Sequence, residues 1–306
     1  MGRDHMEQKK TVLAMGYFDG VHLGHGALLD RAKERAAALG ATAAVLTFDT
    51  HPDLLVRGER VPLLYGGEDR AYLLRRFYGI ELMYYVNFTP EVMRMPAEEF
   101  LENAAGRYAP AHFVVGENFR FGFGGRGTPE LLRAWCAERG IGCDVVPLVE
   151  IGGAPVSSTR VRALVAEGEI SEANALLGHP HLLTDTVRRG FHLGRTLEFP
   201  TVNMRFAEGV LAPRFGVYAS RVRLPGGACH DAVTNIGIRP TFDKEGENGV
   251  TVETHIPGFD GDLYGQSVCV EFYSFLRAER PFEGREALQA QMRRDTAAAL
   301  AFLAGE

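Results

Sequence analysis

The stretch Thr11-Val-Leu-Ala-Met-Gly16-Tyr-Phe18-Asp19-Gly20-Val-His22-Leu-Gly24-His25-Gly26 decides how the first half of the chain is read. Its opening five residues form an apolar run of strand length that closes on a glycine. From residue 25 to residue 39, Leu28, Leu29, Ala32, Ala36 and Leu39 recur at helical spacing, and Gly40 supplies a C-terminal stop. Residues 41–48 read as a second strand. The three segments make a β-α-β unit whose buried strands pair in parallel. Outward from it the alternation continues, with helices at 69–77, 97–105 and 129–139 and strands at 81–88, 112–116 and 143–149. This is the pattern of an open α/β sheet.

Beyond a helical segment at 158–177 the texture changes. Short β-rich runs at 215–223, 250–256 and 267–275 are separated by turns containing Gly and Pro, which predicts a small antiparallel barrel or sandwich. A last helix, 285–303, carries Ala287, Leu288, Met292, Ala299 and Leu303 near helical spacing and is expected to lie against that barrel. The boundary is placed near 178–183, giving domains 11–178 and 182–306. No internal repeat is evident.

With 306 residues, 46% of them hydrophobic and 24% charged, each half is large enough to bury a core. Residues 1–178 hold 19 basic and 23 acidic side chains and the remainder 14 and 16, so neither half is a basic nucleic-acid module. The most apolar run, 36–48, is 13 residues long and interrupted by Gly40, too short to span a bilayer. Cys136, Cys143, Cys229 and Cys269 form no C-x-x-C pair, which fits reduced thiols in a cytoplasm and argues against zinc. Self-association is compatible with the sequence.

The loop between the first strand and first helix carries chemistry. His22 and His25 flank Gly24 where a parallel sheet delivers the chain to a helix N-terminus, a place that favours anions through free N–H groups and the helix dipole. Imidazoles there can donate to phosphate oxygens as charge moves onto a departing pyrophosphate, and Gly16, Gly20 and Gly24 keep the backbone close to a ligand. The plainer alternative is a tight turn with exposed histidines. Asp19 either binds a metal or closes that turn. Lysine occurs only at Lys9, Lys10, Lys33 and Lys244, and no Gly-Lys-Ser/Thr is present, which removes a Walker A loop.

The loop resembles the H-x-G-H signature of the nucleotidyltransferase superfamily, and more closely the N-terminal half of bacterial bifunctional riboflavin kinase/FAD synthetases. Thr47-Phe-Asp-Thr-His51-Pro52 is similar to that family's T-F-x-P-H-P segment, with Thr50 where proline is usual. Val115-Gly-Glu-Asn118-Phe119-Arg-Phe121-Gly122 is similar to its loop contacting nucleotide and flavin, and Val156-Ser-Ser158-Thr159-Arg-Val-Arg162 to its S-S-T-x-I-R element. The resemblance implies a Rossmann-like domain that adenylylates FMN to FAD. It assigns His22 and His25 to catalysis; Gly16, Phe18, Asp19, Gly20, Gly24, Asn118, Ser158, Thr159 and Arg162 to nucleotide; and His51, Phe119 and Phe121 to flavin. On the residues alone, Ser158 and Thr159 could cap a helix, and Phe119 and Phe121 could be core as readily as stacking platforms.

In the second half Gly190-Phe-His-Leu-Gly194-Arg195 leads into Pro200-Thr201-Val-Asn203. Thr201 and Asn203, two apart on an extended strand, point to one face and suit a hard oxygen-binding ion such as Mg²⁺. Glu253, within Thr251-Val-Glu-Thr-His255, could accept the proton of an attacking alcohol, although a lone strand glutamate is more often solvated. With Gly216-Val-Tyr218, Thr234 to Phe242, Asp262-Leu-Tyr-Gly265 and Phe275 to Phe282, these segments resemble the riboflavin kinase domain, a six-stranded barrel with a P-T-A-N segment. The resemblance implies Thr201 and Asn203 as Mg²⁺ ligands, Glu253 as base, Gly190, Gly194 and Arg195 beside ATP, and Arg277 on the flavin side. Two departures stand out: Asp185 and Glu198 replace glycines, which puts side chains and negative charge in or beside a loop that approaches ATP phosphates.

The expectation is therefore an enzyme that converts riboflavin to FMN in its second domain and FMN to FAD in its first, consuming two ATP with Mg²⁺. One rival is an FMN adenylyltransferase whose barrel only binds flavin because of Asp185 and Glu198. Another is adenylyl transfer to a different phosphate, such as a lipid or coenzyme precursor.

Overall fold

Strand β1 (Thr11–Met15) is buried at every position and lies in the middle of a five-stranded parallel sheet. Its companions are β2 (Thr42–Phe48), β3 (Leu82–Val86), β4 (Pro110–Gly116) and β5 (Gly142–Val146), in the order β3-β2-β1-β4-β5. Thr11 is in register with Thr42 on one side and Pro110 on the other. The computed structural model of the chain describes residues 10–58, 60–188, 201–238 and 249–305. They fall into two units, one of Met1–Val61 with Arg70–Ser157 and the other of Pro62–Asp69 with Ser158–Glu306.

The connecting helices are α1 (Leu23–Leu39), α2 (Pro52–Val56), α3 (Gly67–Tyr78), α4 (Pro90–Arg94), α5 (Ala97–Tyr108) and α6 (Pro129–Glu138). Gly40 ends α1 in a left-handed conformation at φ 60°, donating its N–H to the Ala36 and Ala37 carbonyls. Thr89 and Thr128 cap α4 and α6 with their hydroxyls, each followed by a proline that suits the first helical position. Leu13 and Met15 pack with Phe113, Val115, Phe100, Leu101 and Trp135 in a core between the sheet and α5 and α6. Val12 and Ala14 point to the opposite face because strand side chains alternate. A hairpin of β6 (Glu150–Ile151) and β7 (Ala154–Pro155) completes this unit.

The second unit begins with α7 (Ser158–Glu167) and α8 (Ile170–Leu177). The single helix expected over 158–177 is thus two, because Gly168 takes φ 86°, a left-handed turn that interrupts the helical hydrogen bonds. Strands β8 (His181–Thr186), β9 (Thr201–Met204), β10 (Gly216–Arg223), β11 (Cys229–Ile238), β12 (Val250–His255) and β13 (Ser267–Ala278) form one antiparallel sheet in the order β8-β13-β10-β11-β12-β9. It curls until its two edges meet, where the Arg188 N–H donates to the Asn203 carbonyl at 2.9 Å. Ser220, Thr234 and Thr254, fully buried on neighbouring strands, link their hydroxyls at 2.7 and 2.9 Å, so this polar row is satisfied internally.

The last helix, α9 (Arg285–Ala304), packs Ala299 and Leu303 against Val217, Ala219 and Val233. An earlier piece of sequence also joins this unit. Leu63 donates to the Gly209 carbonyl at 2.8 Å and accepts from the Leu211 N–H at 2.7 Å, and the Tyr65 hydroxyl lies 3.1 Å from His181 Nδ1.

Candidate active sites

In the first unit the chain leaves β1 for β2 on one side and returns to β4 on the other, so the strand order reverses between β1 and β4. Ligands of open α/β sheets bind outside the carboxyl ends of the strands at such a switch point. His22 follows β1 there. It caps α1, its Nδ1 accepting from the His25 N–H at 3.3 Å. The loop before it is bent hard: Phe18 and Val21, both fully buried, take φ 59° and 44°, values rare for bulky or branched residues. Asp19 is buried within it. A Cβ on Gly24 would lie 3.1 Å from the His22 ring, and one on Gly16 3.2 Å from the Phe18 ring, so both glycines are close-approach positions.

The two imidazoles stack, with centroids 3.7 Å apart and planes 13° from parallel, and Phe18 borders the His25 ring at 5.1 Å. Burial pushes the His25 pKa well below the ordinary histidine value, and the neighbouring His22 and Arg70 add to that shift. The tautomers follow. His22 Nδ1 accepts a hydrogen bond, so its proton sits on Nε2. A proton on His25 Nδ1 would be a buried donor with no acceptor among the described residues, so that ring too carries its proton on Nε2. Both rings then offer an Nε2–H as donor.

Asn118 sits just past the end of β4, beside Gly116, where a Cβ would lie 3.2 Å from its Oδ1. Phe119 and Phe121 stack with centroids 5.6 Å apart. A cavity of about 490 Å³ opens alongside, lined by Phe48, Pro52, Phe88, Phe100, Phe121 and Phe123 among others. Phe121 lines it directly, whereas Phe119 backs Phe121. His51 caps the short α2, whose Pro52, Asp53 and Val56 form one wall, and its ring meets Tyr17 edge-on at 4.6 Å.

Arg70 is the residue that sequence reasoning missed. Only 2% exposed, it donates to the Tyr17 and Phe48 carbonyls at 3.0 Å each and lies 4.5 Å above the Tyr17 ring. It thereby ties the loop after β1 to the end of β2, a tie that the Thr47 hydroxyl repeats with a 3.0 Å bond to the same Tyr17 carbonyl. A signal existed: Arg70 is in helical phase with the fully buried Leu73 and Leu74, so periodicity alone puts a charge on a buried face.

In the second unit Ser158 and Thr159 form the first turn of α7 rather than preceding it, and Ser157 stands before that turn. The Thr159 hydroxyl accepts from Arg162 at 3.2 Å. Asn203 is directly opposite Glu253, which is opposite Asn235, so three adjacent strands present amide, carboxylate and amide in one row. Thr201 lies two residues along on the same face, opposite His255. Asn203 Nδ2 donates to the Thr201 carbonyl at 3.4 Å, which leaves the amide oxygen as its acceptor end. Arg277 forms a two-pronged pair with Asp295 of α9 at 2.9 and 2.7 Å. Asp185 is not aimed at empty space: its Oδ2 accepts from the Arg205 N–H at 2.9 Å and lies 3.5 Å from Arg188 Nε. Gly190, Gly194, Arg195 and Glu198 lie outside the described residues.

The family model for FAD synthetase matches residues 4–160, and that for riboflavin kinase matches residues 177–303. A bifunctional riboflavin kinase/FMN adenylyltransferase of Listeria monocytogenes is 36% identical over 295 residues, covering 96% of this chain and 92% of that one. Its counterpart in Escherichia coli K12 is 33% identical over 298 residues, covering 96% and 93%. The chain belongs to the bifunctional riboflavin kinase/FMN adenylyltransferase family. The same architecture is found in a crystal structure described as a macrolide-efflux protein from Streptococcus pneumoniae, with TM-score 0.84, 27% identity and 98% and 95% of the two chains covered. Among the described residues no helix is long and apolar enough to cross a membrane. No three His, Cys, Asp or Glu side chains among them gather to hold a metal.

Proposed function

We propose that this chain makes FAD from riboflavin in two steps: phosphorylation to FMN at the Asn203–Glu253 row, then adenylylation at the His22–His25 loop. The observation that carries the reading is the pair of stacked imidazoles at the switch point, in the same unit as an aromatic cavity of flavin size. In the adenylyl step an FMN phosphate oxygen bonds to the α-phosphorus of ATP and the bond to pyrophosphate breaks. His22 and His25 donate through Nε2–H to the oxygens that gain charge, while Asn118, just past β4 of the same unit, positions the nucleotide. The flavin ring occupies the cavity against Phe121, with Phe119 and His51 supporting its walls.

In the kinase step Glu253 takes the proton of the ribityl 5′-hydroxyl, whose oxygen bonds to the γ-phosphorus as ADP leaves. The oxygens of Thr201 and Asn203 suit Mg²⁺, which neutralises phosphate charge when bound. Arg277 would meet the flavin as one half of an ion pair. Asp185 spends its charge on Arg205 and Arg188, which weakens the reading of a barrel that binds flavin without phosphorylating it. None of the four cysteines is in a disulfide, as suits a cytoplasmic enzyme.

The full chain, incubated with riboflavin, ATP and Mg²⁺ and its products separated by chromatography, is expected to yield FMN and then FAD. His25→Ala should stop at FMN, with FAD formation lowered by roughly 10²–10³, the usual cost of removing a donor to the developing charge. Glu253→Ala should fail to phosphorylate riboflavin yet convert added FMN. A passive barrel would show instead as wild-type protein that converts FMN but never makes it.

A further inference from the structure

We propose that Asp185 is a positioning residue for the metal-binding strand of the kinase site, a role that rests on the kinase reading above. β8 and β9 are the two edges of the second unit's sheet, so nothing in the ladder order itself fixes one against the other. Among the described residues, two links are seen across the seam between them. One is the bond from the Arg188 N–H to the Asn203 carbonyl. The other is the Asp185 carboxylate, which reaches over from β8 to take the Arg205 N–H just beyond β9 at 2.9 Å, while Arg188 Nε steadies the same oxygen at 3.5 Å.

These contacts bracket Asn203. Its carbonyl is held by Arg188, the residue two beyond it is held by Asp185, and its other flank is paired with β12 opposite Glu253. Asp185 is well placed for this task because its side chain is only 17% exposed, and a hydrogen bond to an ionised carboxylate is stronger than a neutral one. Without it, the seam loses its hold just beyond β9 and keeps the Arg188–Asn203 bond among the described residues, so an edge strand of four residues can splay and carry the Thr201 and Asn203 oxygens with it. The negative charge of Asp185 is thus structural: it is spent on the seam and orients the metal ligands from behind, as outer partners of metal sites do.

The test uses the full chain with Asp185→Ala and Asp185→Asn. Asparagine keeps an oxygen for the Arg205 N–H and loses only the charge. Two readouts are needed: hydrogen exchange of the 201–206 peptide without metal or nucleotide, and the Mg²⁺ dependence of FMN formation, with FMN-to-FAD conversion as internal control. Asp185→Ala is expected to speed exchange in that peptide and to raise the half-saturating Mg²⁺ about tenfold, the lower end of losses for partners that orient metal ligands. Its FAD formation from FMN should hold, and Asp185→Asn should recover most of both effects. Unchanged exchange and unchanged Mg²⁺ dependence in Asp185→Ala, with wild type making FMN, would overturn the positioning role alone. So would a parallel loss of FAD formation, or an asparagine variant as impaired as the alanine. Wild type that makes no FMN at any Mg²⁺ concentration overturns the kinase reading and this role with it.

Discussion

Arg70 shows how much a single side chain can hold in place. Its guanidinium, buried without a carboxylate among its recorded partners, is kept by two carbonyls and an aromatic face, and those carbonyls belong to the loop and strand end that frame the stacked histidines. Truncating it leaves the Phe48 carbonyl without its Arg70 donor and the Tyr17 carbonyl with the Thr47 hydroxyl alone, a cost of roughly 1–3 kcal/mol. Arg70→Ala is therefore expected to lower the midpoint of urea unfolding and to reduce FAD formation about tenfold or more, with FMN formation retained. Arg70→Lys, which can reach one carbonyl but not both, should fall between. If Arg70→Ala made FAD at the wild-type rate, the tie between β1 and β2 would have no bearing on the adenylyl step.

Among the elements, β8 bears one strongly shifted titrating group, His181, and meets another at Thr184, the Asp69 carboxyl of α3. His181 is fully buried against Tyr65, and burial, helped by the nearby His179, holds its pKa at about 3. Burial also pushes the Asp69 carboxyl up to about 6, against the opposing pull of Thr184. The signs differ. Below about pH 6.5 the unfolded chain takes a proton that folded His181 refuses, so stability falls with acidification by about 1.4 kcal/mol per pH unit for that proton. Between about pH 6 and 4 folded Asp69 takes a proton that the unfolded chain does not yet hold, which adds stability in the same interval. Asp69→Asn removes that compensation, so its unfolding midpoint should drop more steeply from pH 6 to pH 4 than the wild type's. Parallel curves would show that Asp69 ionises in the folded protein much as it does in the unfolded chain.

How far the elements could be read from the sequence depended on whether their signal was local. β1, α1 and β2 were legible because apolar runs, helical spacing and Gly40 all agree within thirty-odd residues. The break at Gly168 is marked in the sequence only by that glycine and by Val165 and Ile170 standing five apart, out of helical phase, signals easily overrun by the apolar residues on either side. α2 and α4 are too short for periodicity, although His51-Pro52 and Thr89-Pro90 announce them as cap and first-turn proline. Some candidate residues carried by motifs do lie together, Asn203 opposite Glu253 and His22 against His25. Arg70 and the Asp185 seam had no such motif: each acts by reaching a backbone group distant in sequence, 53 residues for Arg70 and 20 for Asp185.

On the scale of the whole chain, the units are not consecutive. Residues 62–69 belong with 158–306, supplying Leu63 to the backbone around Val210 and the Tyr65 hydroxyl to His181. A fragment starting at 158 would lack both and leave His181 buried without its phenol. It should melt several degrees below the same unit in the intact protein, as followed by circular dichroism, since losing about 1–2 kcal/mol shifts a domain of this size by that much. Equal melting would mean that the strap contributes nothing. Anyone exchanging halves between relatives must therefore carry eight residues from the front of the gene along with the back. A chimaera joined at a single crossover would ask one ancestor's barrel to wear the other's belt.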